Sequence, residues 1–220
     1  MSYYAEPPRR GGFFANLPTG VKNILVVNAI MLLATYVLGQ SRIVPSLALF
    51  SFGSPFFKPW QLVTYMFLHG GFGHFFFNMF TLLMFAPNLE NIWGTKKFLL
   101  FYFVTGIGAG LFHNLVIFLR ILANPAVATS LAVIPTVGAS GAIYGVLLGF
   151  AMLFPDAQMR FLFFPFVPVK AKWMVVGFAI LELLTGVSGG DGIAHFAHLG
   201  GMLFSWLLIR YWKKNNRMYY

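Results

Sequence analysis

Apolar residues in this chain run in stretches too long and too numerous for a water-soluble core. Six such runs stand near 22–40, 74–88, 97–119, 139–154, 172–187 and 194–211. A helix needs about 20 predominantly apolar residues to cross the hydrocarbon of a bilayer. Only 9% of the residues are charged against 59% hydrophobic, whereas an ordinary soluble domain carries roughly 25% charged residues. A water-facing surface cannot be built from so few charges. The expected fold is therefore an all-α polytopic membrane protein with six transmembrane helices. The second and fourth runs are short and are expected to begin below the membrane surface. Backbone freed at that depth is tolerated only where protein or a water-filled cavity surrounds it.

The formal charge of +10 would suggest a nucleic-acid partner in a soluble protein. Here it reads as an orientation. Six crossings put both termini on one side with the loops near 89–96 and 155–171. That side holds Arg9, Arg10, Lys22, Lys96, Lys97, Arg160, Lys170, Lys172, Arg210, Lys213, Lys214 and Arg217. Only Arg42, Lys58 and Arg120 fall on the other, a division of 12 to 3 among the 15 basic residues. The excess of basic residues marks the cytoplasmic side, so both termini are expected there, with the bilayer and no nucleic acid as surroundings. The expected division is a polar tail over 1–21, a membrane domain over 22–211 and a basic tail over 212–220. The first tail contains Pro7, Pro8 and Pro18 and lacks the apolar core and cleavage site of a signal peptide. A six-span form without a targeting segment points to a bacterial inner membrane. The first outer loop, 41–73, is long and rich in Phe and Trp, and is expected to lie in or dip into the membrane.

Polar groups inside spans are rare enough to mark function. His74 and Asn78 open the second span, Ser140 opens the fourth, and His198 lies about a turn into the sixth. These three spans run in the same direction, so at 1.5 Å per residue all four side chains reach the outer half of the bilayer. A hydroxyl beside an imidazole suits acyl transfer, because serine is a weak nucleophile until a base takes its proton. Gly141, Gly145 and Gly149 form a small-residue stripe after Ser140, and Gly201 and Ser205 form another after His198. Packing of these two faces is expected to bring Ser140 and His198 together, with Tyr144 one turn below Ser140 placed to stack on the imidazole. Zero cysteines excludes thiolate chemistry and disulfides.

The motifs HGGFGHFFFN, GASGAIYG and AHLGG, in that order, resemble those of the rhomboid intramembrane serine proteases. The resemblance covers roughly residues 22–211 and implies a six-helix rhomboid-like bundle. It implies Ser140 as nucleophile, His198 as general base and Tyr144 as the residue stacked on that histidine. It further implies an oxyanion hole from His74, Asn78 and the Ser140 backbone N–H, with Gly138 and Gly141 shaping the chain around the nucleophile. His69 and His74 match the two histidines of the first motif, and Glu90 with Gly94 resembles an E-x3-G after the second span. In the first outer loop the family's Trp-Arg pair is Trp60-Gln61 here, which puts an arginine-based network there in doubt. The sixth-span G-x3-G ends in Ser205, still small.

The bland readings are packing roles for Ser140 and His198, and a hydrogen bond between His74 and Asn78. A zinc site from the histidines lacks HExxH and a positioned acid, so no metal and no cofactor is expected. His69 and His195 are expected to line a watery cavity. Glu182, the one acid well inside a span, is read as a structural acid, since no spacing argument ties it to His198. A Ser140–His198 dyad is therefore expected. The implied function is hydrolysis of peptide bonds in or near transmembrane segments of other membrane proteins. The alternative is a catalytically inactive rhomboid-like protein that binds client membrane proteins. A proton-coupled transporter would be expected to show a repeat between its halves, and none is evident.

Overall fold

The computed structural model describes residues 12–161, 164–188 and 193–218. The expected N-terminal tail lies mostly outside these residues. Helices dominate, in the order α1 (Thr19–Leu38), α2 (Gln40–Leu47), α3 (Gln61–Thr64), α4 (Phe72–Ala123), α5 (Ala128–Ala132), α6 (Ser140–Leu153), α7 (Ala171–Val187) and α8 (Ile193–Lys214). Among the described residues α1 and α4 are long and apolar enough to cross a membrane. Helix α4 is broken at Gly94, whose φ of 74° and ψ of 160° leave the helical region. A left-handed φ favours glycine there, and the break makes α4 two limbs. All six apolar runs thus fall on helix.

The helix ends differ from the expected boundaries for identifiable reasons. Helix α1 starts at Thr19, before the expected domain edge. The first N–H groups of a helix lack intrahelical partners, and here Gly20 and Val21 donate to the two carboxylate oxygens of Glu90 at 2.7 Å each. Thr95 Oγ1 donates to the same carboxylate at 2.6 Å, so the E-x3-G segment at the break in α4 also holds the start of α1. Helix α8 continues to Lys214, where Lys213 and Lys214 in its last turn suit the negative end of the helix dipole.

The core is built around α6. Its stripe of small residues faces the second limb of α4: a Cβ on Gly141 would stand 2.6 Å from Ala109 Cβ, and one on Gly145 would stand 2.7 Å from Thr105 Cβ. The stripe therefore packs on α4 as well as on α8, the partner expected from the sequence. Helix α8 approaches from another side, with Gly201 against the Gly141 carbonyl and Ser205 Oγ donating to the Gly145 carbonyl at 2.9 Å. Small residues permit such backbone approach in place of interlocking side chains. Outward faces carry large apolar side chains instead, among them Ile30, Leu33, Val37, Leu181 and Leu184, a surface that suits lipid rather than water.

Two connections carry structure of their own. The first outer loop contains α2 and α3, and an isolated bridge joins Leu49 to Thr136. At its centre Gln61 is fully buried. Its Oε1 accepts from Lys58 N–H at 3.1 Å and Phe50 N–H at 3.4 Å, and its Nε2 donates to the Phe56 carbonyl at 3.0 Å. Trp60 Nε1 donates to the Ser46 carbonyl at 2.9 Å. The loop therefore has a polar organising centre, built on a neutral amide. Between α6 and α7 the chain forms an antiparallel pair, β1 (Gln158–Phe161) and β2 (Phe164–Lys170), in register Gln158 to Lys170 and Met159 to Val169. This hairpin departs from the all-α expectation. Asp156 at its base pairs with Lys170 at 3.1 Å and Lys172 at 2.9 Å, and those two ammonium groups hold its exposed carboxyl below the usual carboxylate range.

Candidate active site

Ser140 is the first residue of α6, where its own N–H has no intrahelical acceptor. The turn into this helix requires glycine at 138. Gly138 has φ of 133°, and a Cβ there would stand 2.9 Å from His74 Cε1. Its N–H is fixed by the Tyr65 carbonyl at 2.9 Å. From the opposite side α8 delivers His198, whose Nε2 lies 2.8 Å from Ser140 Oγ. The Tyr144 ring, one turn along α6, stacks on the His198 imidazole with centroids 4.2 Å apart and planes 6° from parallel. The four residues expected to meet from separate spans do so: His74, Asn78, Ser140 and His198 line one cavity of about 400 Å³.

His74 accepts a long hydrogen bond, 3.4 Å, from the Gly70 N–H at Nδ1. In a neutral imidazole this leaves the proton on Nε2, the nitrogen next to Gly138. Asn78 Nδ2 donates to the His74 carbonyl at 2.9 Å, the intrahelical bond their spacing allows, and one amide hydrogen remains. The cavity continues between the first limb of α4 and α7 over Phe77, Phe80, Met84, Met174 and Phe178, and reaches Arg160 on β1.

Two histidines are not where the sequence suggests. His69 is buried and packs edge-on to His74 and Phe75, with centroids 5.2 and 5.3 Å apart. It does not line the cavity. Burial, aided by the neighbouring His74, depresses its pKa from 6.5 to about 4, so it is held neutral. His195 turns away from the cavity toward α7, where its Nδ1 lies 2.5 Å from Glu182 Oε2.

Glu182 is the residue that the sequence reading misplaces. The same Oε2 lies 3.0 Å from His198 Nδ1, although the N–H is angled off the line between them. Its Oε1 accepts a short hydrogen bond from the Tyr144 hydroxyl. A signal for this was present: His195 and His198 share one face of α8, and Glu182 is the one acid well inside an expected span. Glu182, His195 and His198 also offer three ligand atoms within 4.8 Å of one another. Two of these atoms, His195 Nδ1 and Glu182 Oε2, stand 2.5 Å apart, in hydrogen-bond contact. Two ligands each about 2.0–2.2 Å from a tetrahedral metal stand further apart.

The fold is a helical bundle whose outward faces suit lipid, and its cavity holds a serine hydroxyl and an imidazole in contact. The Rhomboid domain profile matches residues 57–214, and the chain belongs to the rhomboid family, whose members are polytopic, predominantly helical membrane proteins. It is 31% identical over 163 residues to "Putative rhomboid protease YdcA" of Bacillus subtilis (strain 168), covering 72% of this chain and 70% of that one. It is 31% identical to RHOMBOID-like protein 4 of Arabidopsis thaliana, over 68% of this chain and 33% of that protein. With Rhomboid protein 1, mitochondrial, of Saccharomyces cerevisiae (strain ATCC 204508 / S288c), identity is 33% over 64% of this chain and 40% of that one.

Proposed function

We propose that this protein is an intramembrane serine endopeptidase that cuts peptide bonds in or near transmembrane segments of other membrane proteins. The observation that carries the reading is the 2.8 Å contact between Ser140 Oγ and His198 Nε2 at the end of an apolar cavity. In this reading α1, the two limbs of α4, α6, α7 and α8 make six crossings, with the termini cytoplasmic and the bacterial inner membrane as host. At 1.5 Å per residue α6 spans about 21 Å, short of the roughly 30 Å hydrocarbon core. Ser140 then lies below the outer surface, reached by water through the cavity. In this reading the membrane domain takes in the whole of α1 from Thr19 and of α8 to Lys214.

Ser140 Oγ attacks the scissile carbonyl carbon while its proton passes to His198 Nε2. The carbonyl π pair moves to oxygen, and the oxyanion faces the Ser140 N–H at the positive end of α6, with His74 Nε2–H and the free Asn78 amide hydrogen as further donors. The proton on Nε2 then goes to the leaving amine as the C–N bond breaks, and water resolves the acyl-enzyme by the same route. Aromatic and methionine side chains along the α4–α7 side would receive an unwound segment of a substrate helix.

The test is cleavage of a single-span substrate in proteoliposomes by wild type, Ser140→Ala and His198→Ala, with a fluorophosphonate probe for Ser140. Loss of cleavage in both variants and labelling of wild type alone are expected. Cleavage by either variant at the wild-type rate overturns the assignment. A folded wild type that neither cleaves nor labels favours the client-binding alternative.

A further inference from the structure

We propose that Glu182 is a positioning residue for the Ser140–His198 pair, so that the site works as a serine–histidine–glutamate unit rather than a dyad; this rests on the protease reading above. The carboxylate is held from two elements. From α6 the Tyr144 hydroxyl donates to Oε1, and from α8 His195 Nδ1 lies 2.5 Å from Oε2. Glu182 is only 5% exposed, so its orientation is set by these bonds and not by solvent. What it presents to His198 is Oε2, 3.0 Å from Nδ1, the ring nitrogen remote from Ser140.

That placement does two things. It favours the tautomer with the proton on Nδ1, which leaves the Nε2 lone pair directed at Ser140 Oγ, 2.8 Å away. It also supplies a fixed negative charge beside the imidazolium formed when Nε2 takes the serine proton. The proton goes no further than His198 until the leaving amine receives it, and Glu182 stays ionised throughout, as the acid does in a serine triad. Tyr144 ties the parts together, since its ring covers the face of His198 while its hydroxyl holds the carboxylate that faces the edge. Among the described residues, Arg120 on α4 is the other charged group at this end of α7, its Nη2 donating to the Gly186 carbonyl at 3.0 Å. The resting Nδ1–H is off line with Oε2, and catalytic hydrogen bonds commonly tighten only once substrate is bound.

Glu182→Gln separates a positioning role from a packing role. Glutamine keeps the size of the side chain and an oxygen to accept the Tyr144 hydroxyl, but it loses the charge and sets an amide donor where Oε2 faces the imidazoles. We expect kcat to fall about 10²-fold with KM within twofold, at the low end of what general-base catalysis supplies. Fluorophosphonate labelling of Ser140 should slow in parallel, because it needs the same activated serine and no substrate helix. Tyr144→Phe, which keeps the ring over His198 and frees the carboxylate, is the second variant should Glu182→Gln fail to fold. It should lower kcat and labelling three- to tenfold. A folded Glu182→Gln with wild-type kcat and labelling overturns the inference, as does a change confined to KM or melting temperature. If Glu182→Gln does not fold, wild-type kcat and labelling in Tyr144→Phe overturn it. Ser140→Ala, run alongside, tells the two levels apart. If it still cleaves, the serine-protease reading has failed; if it is dead while Glu182→Gln is fully active, the Glu182 role alone has failed.

Discussion

Replacing Gly201 with alanine should disable the site from a helix contact that touches neither reacting atom. A Cβ at 201 would stand 1.8 Å from the Gly141 carbonyl oxygen and 2.8 Å from its carbon. A carbon and a carbonyl oxygen approach to about 3.3 Å, so the two backbones must separate by about 1.5 Å. Helix α6 cannot supply this by retreating, because Gly141 is already pressed on Ala109 of α4. The shift therefore falls on α8, which carries His198 one turn away. Added to the 2.8 Å separation of Nε2 and Oγ, most of that shift takes the pair beyond hydrogen-bond reach. Misplacement of a catalytic group by about 1 Å can cost 10²-fold in rate, and overpacking of this kind typically destabilises by about 1–3 kcal/mol. The assay is turnover of a single-span substrate in proteoliposomes with Ser140 labelling in parallel, and both should fall at least about 10²-fold in Gly201→Ala. Gly177→Ala, whose Cβ meets open space on α7, should leave both unchanged. Wild-type turnover and labelling in folded Gly201→Ala would refute the claim that this backbone contact sets the Ser140–His198 distance.

Glu90→Ala strands the Gly20 and Val21 N–H groups at the start of α1. At about 1–3 kcal/mol for each of the two unsatisfied groups, the fold should lose roughly 2–6 kcal/mol, read as a lower melting temperature in detergent; an unchanged melting temperature would refute the capping role. His69 gives a pH dependence. Its folded pKa of about 4 lies below the unfolded 6.5, so the unfolded state binds more protons between those values. Stability is full above about pH 6.5, falls as pH drops toward 4, and then levels, with an upper limit of about 3 kcal/mol from this group. His69→Phe should flatten melting temperature against pH over that window, and an unaltered slope would show that other groups carry it.

The helices and the site were legible to different depths. The apolar runs and the motifs around His74, Ser140 and His198 were enough to anticipate helices over those segments and a serine beside a histidine. Membrane helices announce themselves by length, and small residues four apart mark close contacts. Contacts that depend on helix rotation left no such trace. The Gly141–Gly145–Gly149 stripe showed that α6 is approached closely, and Gly201 and Ser205 pointed to α8, yet nothing in it said that α4 lies against the same glycines. The β1–β2 hairpin escaped because Pro165 and Pro168 sit in β2, and proline lacks the N–H that a strand ladder needs. Gln61 looked like the loss of an arginine, whereas in the fold its amide both accepts and donates within the first outer loop.

Glu182 shows why the rest was hidden and what that means for the chemistry. Its distance to His198 is set by how α7 and α8 rotate against each other, across the 188–193 connection, and sequence separation says nothing about that angle. Helix α6 resolves it. Tyr144, four residues after Ser140, reaches both the His198 ring and the Glu182 carboxylate, so the turn that orients the serine also fixes the groups behind the base. A buried carboxylate is unfavourable unless its neighbours satisfy it, and here the neighbours are the imidazole that faces the serine and a second imidazole one turn away. The cost of holding that charge in an apolar bundle is offset only while α6, α7 and α8 keep their relative rotation.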